Sequence, residues 1–249
     1  MNDKVYRTME EAVVDIPDGS SIMVAGFGPG TPWNLLRALY HQGARDLTII
    51  CNSAARLDAD DLVSIGTIIG AGRVRKAISS FTASAHPSRR SPLELLDDQG
   101  LIEAELTPQG TLAERIRSGG AGIPAFYTQV SVGTELAEGK EHRSFNGRTY
   151  VMEEALTADY AFLRAWKADT FGNLVFRRAQ RNYNPIMAMA ARHAIAEIEE
   201  PIVEEGALDP DHVHTSGIFV ERLVRIPPPP DGILHVSGNP SAVPQQATA

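Results

Sequence analysis

The sequence predicts an α/β protein with a largely parallel sheet flanked by helices. Three observations predict it. Short runs rich in β-branched residues alternate with amphipathic stretches of about ten residues. Two turns rich in glycine or proline, Gly26-Phe27-Gly28-Pro29-Gly30-Thr31-Pro32 and Thr107-Pro108-Gln109-Gly110-Thr111, each follow a strand-like run and precede a helical one. A strand, turn, helix order brings bare backbone N–H groups to the carboxyl edge of a parallel sheet, where α/β proteins bind ligands. Finally, 249 residues with 43% hydrophobic content suffice for one large α/β body.

The elements follow in order. Thr8-Met9-Glu10-Glu11 has the form of a capping box opening a short helix through Val14. Asp18-Gly19 is a turn, and residues 21–25 form a buried strand. Leu35, Leu36 and Leu39 recur at helical spacing over 33–42, and Gly43 stops that helix. Residues 47–51 form a second strand, 63–69 are ambiguous, and 73–80 form a third strand. A helix over 93–99 ends at Gly100. Asn146-Gly147 is the turn of a tight hairpin leading into 149–152. Strands are predicted over 160–166 and 173–176, a helix with small residues over 185–195, and a last strand over 217–226. Pro227 to Pro230 forbids regular structure, and 227–249 lacks periodicity, so a mobile tail is predicted after a single body spanning 1–226.

Composition excludes several classes. No apolar run approaches the ~20 residues that cross a bilayer. The net charge of −8 and the absence of a basic stripe argue against nucleic acid. Met1-Asn2-Asp3-Lys4 is not followed by a signal-like apolar stretch, and the single cysteine, Cys51, suits a reducing compartment, so a cytoplasmic location is expected. The seven histidines do not cluster at metal-ligand spacing; His212 and His214 are expected to be exposed in a loop, and no metal is implied.

Taken alone, the turns have two readings. Gly26, Gly28 and Gly30 either cradle an anion or only permit a tight reversal. Gln109 is a donor at a helix start or a plain turn residue, Asn52 is a site residue or a strand-end turn residue, and Thr111 with Glu114 reads as a capping box. A nicotinamide-binding fingerprint fails, because Thr31 stands at its third glycine position and Asn52 ends the second strand without an acidic residue.

A longer pattern resembles a known family. Glu105-Leu106-Thr107-Pro108-Gln109-Gly110-Thr111-Leu112-Ala113-Glu114-Arg115-Ile116-Arg117 continues into Gly119-Gly120-Ala121-Gly122-Ile123-Pro124-Ala125-Phe126-Tyr127. Supporting blocks are Ala165-Trp166-Lys167-Ala168-Asp169, Gly172-Asn173 and Arg181-Asn182-Tyr183-Asn184. Together they resemble the A subunit of class I 3-oxoacid CoA-transferases, the group of succinyl-CoA:3-oxoacid and 3-oxoadipate transferases, over about residues 8–225.

That resemblance implies a reaction and a partner. A glutamate carried by a B subunit is the nucleophile toward an acyl-CoA thioester, and a glutamyl-CoA intermediate passes CoA to a second carboxylic acid. The nucleophile motif of the B subunit, Ser-Glu-Asn-Gly, does not occur here, so a heteromer, A2B2, is expected, with this chain inactive alone. Coenzyme A enters as substrate, with no permanently bound cofactor. By resemblance, Gly26, Phe27, Gly28, Pro29, Gly30 and Thr31 form the CoA loop. Gln109 matches the glutamine that donates to the acyl oxygen, and Asn52 matches the first of a paired-asparagine motif. Two further readings use the same scaffold: an acyl-CoA hydrolase component and a non-catalytic acyl-CoA sensor.

Three features depart from the family pattern. The glycine loop is one residue shorter, with Ala25-Gly26 before the phenylalanine and Pro29 within it. Ser53 replaces the second asparagine. The segment His86-Pro87-Ser88-Arg89-Arg90-Ser91-Pro92 reads as an inserted, solvated loop, with Arg89 and Arg90 as alternative contacts for CoA phosphates or an acidic substrate.

Overall fold

The computed structural model describes residues 4–54, 62–84 and 88–227. Residues 228–249 of the tail expected at 227–249, and the His86-Pro87 part of the basic loop, lie outside the described residues. The strands are β1 (Val5–Tyr6), β2 (Ser21–Val24), β3 (Leu47–Ser53), β4 (Val74–Phe81), β5 (Glu103–Leu106), β6 (Ala125–Thr128) and β7 (His142–Phe145). They continue as β8 (Arg148–Glu154), β9 (Ala158–Ala165), β10 (Lys167–Ala168), β11 (Leu174–Val175), β12 (Ala191–Ile198) and β13 (Arg222–Arg225). The helices are α1 (Met9–Val13), α2 (Trp33–Gln42), α3 (Ile65–Gly70), α4 (Pro92–Asp97), α5 (Gln109–Gly120) and α6 (Asn184–Ala190).

Eight strands form one sheet in the order β1-β13-β12-β9-β2-β3-β4-β5, and every neighbouring pair is parallel. Side chains alternate across it, as a two-residue period demands. Ile22, Val24, Ile49 and Cys51 pack with Leu35, Leu36 and Leu39 of α2, Ile68 and Ile69 of α3, and Leu93 of α4. Met23, Ile50 and Ile78 enter the opposite core with Leu112 and Ile116 of α5 and Met187 and Ala188 of α6. From β2 the chain winds outward through β3, β4 and β5; from β9 it winds the other way through β12 and β13. The β2/β9 junction is therefore the topological switch point, where ligands of open α/β sheets bind.

Local signals explain the element ends. Thr8 caps α1 by accepting from Glu11 N, and Gly43 closes α2 at φ 101°. Asn146 and Gly147 both have positive φ, as a type I′ hairpin requires, and β7 and β8 belong to a separate antiparallel sheet, β6-β8-β7. The ambiguous 63–69 run is resolved as α3, capped by reciprocal Ser64 and Thr67 bonds.

Four expectations are corrected. The helix expected over 185–195 stops at Ala190, and Ala191 turns extended (ψ 154°) into β12. Its alanines are small because Ala194 and Ala196 lie under the α5 and α6 core, while Ile195 faces the other side. The strand expected over 217–226 begins only at Arg222, because Ser216 caps a 3-10 turn and Gly217 packs against Phe171. Thr111 and Glu114 form no capping box: α5 already starts at Gln109, Thr111 Oγ1 is buried without a partner among the described residues, and Glu114 pairs with Arg117. His214 is half-buried rather than exposed; its Nδ1 accepts from Phe176 N at 2.9 Å, and burial holds its pKa low.

One buried charge anchors α2. Glu197 of β12 accepts from Asn34 N (2.9 Å), Leu35 N (3.1 Å) and Asn34 Nδ2 (3.2 Å), and pairs with Arg164 at 3.3 Å. The carboxylate thus occupies the positive end of the α2 dipole. Burial nevertheless dominates and pushes its pKa up to about 7, against the pull of Arg164 and those amides. Between the ordinary carboxyl value and about 7, the folded protein keeps a proton that the unfolded chain has lost, so rising pH costs stability there. From pH 5 to 7.5 the thermal midpoint of the wild type is expected to fall by roughly 5 °C relative to Glu197→Gln. Melting curves across that range check it, and parallel curves would contradict it.

Candidate active site

The two turns meet at the carboxyl edge of the sheet. Asn52 lies near the end of β3, and Gln109 is the first residue of α5. Gln109 Nε2 donates to Asn52 Oδ1 at 2.6 Å. Tyr183 Oη stands 3.3 Å from Asn52 Oδ1 and 3.3 Å from the Gln109 carbonyl oxygen. Both sides of Asn52 Oδ1 therefore face donors, and its Nδ2 is left buried with no partner among the described residues. An unpaired buried amide donor costs about 1–3 kcal/mol, a cost that an incoming acceptor removes.

The second turn is held from below. Thr107 N donates to Ser79 O at 2.9 Å, and Arg115 Nη1 reaches Glu105 at 2.7 Å and Thr107 Oγ1 at 3.3 Å. These bonds fix the start of α5 against β4 and β5.

Asn52 lines a cavity of about 510 Å³ at the ends of β2, β3 and β4. Gly26, Phe27, Gly28 and Thr31 of the first turn form one wall. Phe27 and Phe81, 55% and 46% exposed, stack at 5.9 Å on its lining. Cys51 also lines it, but burial pushes this thiol up to about 12, so it is no thiolate nucleophile at neutral pH. Among the described lining residues there is no carboxylate.

The glycine turn differs in detail from expectation. Gly26 (φ 101°) is required because a Cβ there would overlap the Thr31 backbone. Phe27 N and Thr31 N donate to Pro29 O (3.3 Å) and Gly28 O (3.4 Å), and the first amides of α2 hold Glu197. The helix end thus serves an internal carboxylate, and the turn's amides without a partner among the described residues include those of Gly28 and Gly30. Pro29 and Gly30 line a second cavity instead of the first. Arg90 is bound to Asp98 (2.6 Å) and Glu94 O (3.0 Å), and neither it nor Arg89 lines the Asn52 cavity. Among the described residues no three His, Cys, Asp or Glu side chains cluster as metal ligands, and no helix is long and apolar enough to cross a membrane.

Tyr183 and Glu197 carry roles that the sequence reading left unassigned. Tyr183 sits in the Arg181 to Asn184 block, yet its partner Asn52 is 131 residues away, and no local spacing signals that contact. Burial pushes the Tyr183 phenol up to about 12, so it remains a neutral donor.

A doubly wound sheet with a cavity at its strand ends, lined in part by Asn52, defines an α/β protein with a pocket where such folds bind ligands. The chain belongs to the coenzyme A transferase family, whose sequence model matches residues 6–225. It is 49% identical over 222 residues, 89% of each chain, to the A subunit of the probable succinyl-CoA:3-ketoacid coenzyme A transferase of Bacillus subtilis. The A subunit of the 3-oxoadipate CoA-transferase of Pseudomonas putida is 47% identical over 230 residues, covering 91% of this chain and 95% of that one. The fold matches glutaconate coenzyme A-transferase from Acidaminococcus fermentans with a TM-score of 0.76 at 21% identity, over 90% of this chain and 76% of that one.

If Tyr183 orients Asn52, Tyr183→Phe lowers kcat about tenfold in the assembled transferase with little change in KM for the acyl-CoA. Steady-state kinetics separate the two. A raised KM at unchanged kcat would contradict a positioning role.

Proposed function

We propose that this chain is the A subunit of a heteromeric transferase that moves CoA from an acyl-CoA such as succinyl-CoA to a 3-oxo acid. A B subunit supplies the nucleophilic glutamate, in an A2B2 assembly located in the cytoplasm. One observation carries the reading: Asn52, bonded to Gln109, close to Tyr183 and carrying a buried donor with no partner among the described residues, lines a cavity whose described lining holds no carboxylate. The relatives named as A subunits, at 47–49% identity over nearly the whole chain, support the same assignment.

The chemistry follows from that placement. The partner glutamate adds to the thioester carbonyl, and the carbonyl oxygen gains negative charge. Asn52 Nδ2 and the remaining N–H of the Gln109 amide supply preorganised donors for it, each worth about 3–4 kcal/mol in such sites. Collapse expels CoA as thiolate and leaves a mixed anhydride. The thiolate then attacks the glutamyl carbonyl, releasing the first carboxylic acid and leaving a glutamyl-CoA thioester. The 3-oxo acid carboxylate attacks that thioester, and the returning thiolate takes its acyl group, regenerating the glutamate. The same donors serve each addition. Gly26, Phe27, Gly28 and Thr31 form the wall against which the pantetheine arm lies.

With acetoacetate or 3-oxoadipate as acceptor, the assembled pair is expected to exchange CoA, and the isolated chain to show no turnover. Gln109→Ala is expected to lower kcat/KM by about a hundredfold or more while leaving association with the B subunit intact. Chromatography of the acyl-CoA products measures both. Unchanged turnover in the variant would remove Gln109 from the site, and release of free CoA without a new acyl-CoA would mark a hydrolase.

A further inference from the structure

One tripeptide touches both turns of the site. Asn182 follows the 3-10 turn Arg178–Arg181, Asn184 opens α6, and Tyr183 stands between them. Asn182 Nδ2 donates to Pro29 O at 2.8 Å and to Ala179 O at 3.1 Å. Asn184 Nδ2 donates to Gln180 O at 2.9 Å and, more weakly, to Gly30 O at 3.4 Å. The Tyr183 hydroxyl meanwhile reaches Asn52 and the Gln109 carbonyl. We propose that residues 182–184 form a positioning bracket that sets the distance between the glycine turn and the Asn52–Gln109 pair, with Asn182 and Asn184 as positioning residues for transfer. This inference rests on the CoA-transferase reading and deepens it.

The chemistry of the two asparagines suits that task. A side-chain amide offers two donors and an acceptor on one short, stiff arm. Asn184 is fully buried and uses all three, because its Oδ1 accepts from Arg164 N at 2.9 Å. That amide needs a partner for a topological reason. Strand β2 pairs with β9 only as far as Val24 and Phe162, and Ala25 N makes one more bond to Phe162 O before the chain leaves at Gly26. Arg164 N lies beyond the last paired residue, and Asn184 supplies the acceptor that the departing strand does not. Asn182 is fixed as well, since its Oδ1 accepts from Tyr183 N at 2.5 Å.

The turn has no slack against this segment. A Cβ on Gly30 would stand 2.5 Å from Gln180 O and 2.9 Å from Asn184 Nδ2. Gln180 is itself tied down, donating through Nε2 to Glu199 at 2.9 Å, and the chain after the turn is held where Asn34 N and Leu35 N meet Glu197. A shift of 182–184 therefore moves the turn and the amide pair relative to each other, although no printed hydrogen bond joins those two walls directly. Transfer depends on such spacing, because a misplacement of ~1 Å at the reacting groups costs about a hundredfold in rate.

The test uses the assembled pair with succinyl-CoA and acetoacetate. Asn182 is exposed, so Asn182→Ala removes the bond to Pro29 without opening a cavity. Its kcat is expected to fall about tenfold, with KM for succinyl-CoA within about twofold of wild type. Asn182→Gln, which keeps both donors one methylene further out, is expected to recover part of kcat. In a Gln109→Ala background, Asn182→Ala is expected to lower kcat by less than about threefold more, because the donor it helps to place is already gone. Any of three results overturns the proposal: unchanged kcat in Asn182→Ala, a raised KM at unchanged kcat, or the full tenfold loss repeated in the Gln109→Ala background. Transfer by the wild-type pair keeps the CoA-transferase reading intact in each case. Absence of transfer by the wild-type pair would remove that reading, and this inference with it.

Discussion

A single hydrogen bond, 2.6 Å from Gln109 Nε2 to Asn52 Oδ1, joins the β2–β3–β4 side of the site to the α5 side. Its importance lies in what it leaves over. With Tyr183 approaching the same oxygen, the Asn52 amide is held so that its nitrogen has no acceptor among the described residues. A buried, unsatisfied donor is a cost that folding normally avoids, and it is tolerated where a ligand supplies the missing acceptor. The cavity, the aromatic pair at Phe27 and Phe81, and the glycine wall are arranged around that donor.

The fold divides its electrostatic resources between structure and ligand. The α2 N-terminus, the usual anion seat after the first strand of such a sheet, is filled by Glu197 from within. That carboxylate docks α2 and ties Arg164 into the core. Arg177 and Arg178 line the second cavity, while Asn52, bonded to Gln109, lines the first. The glycine turn separates the two regions, and its own conformation depends on Gly26 packing against Thr31 and Gly30 against Gln180.

Much of the fold was legible because its signals are local. The Leu35, Leu36 and Leu39 spacing with Gly43 marked α2, and Asn146-Gly147 marked the hairpin. The errors came where tertiary packing overrides local preference. Alanines in 191–196 have helical propensity, but they are small because a central strand must fit beneath α5 and α6. In the candidate site, Gln109 and Asn52 were singled out from family resemblance, and the structure brings their side chains together. Tyr183 and Glu197 were not assigned, because their contacts span 131 and more than 160 residues, and no spacing in the chain encodes such distances. The glycine turn was read as a donor cradle; two of its amides instead close the turn, a choice set by Pro29 and Gly28 carbonyls that sequence alone does not orient.

The central claim is that this chain contributes donors while the attacking carboxylate comes from elsewhere. Intact mass spectrometry of both polypeptides, after incubation of the pair with succinyl-CoA and no acceptor, addresses it directly. A glutamyl-CoA adduct on the companion polypeptide, with this chain unmodified, is the expected result. A CoA or acyl adduct on this chain would contradict it.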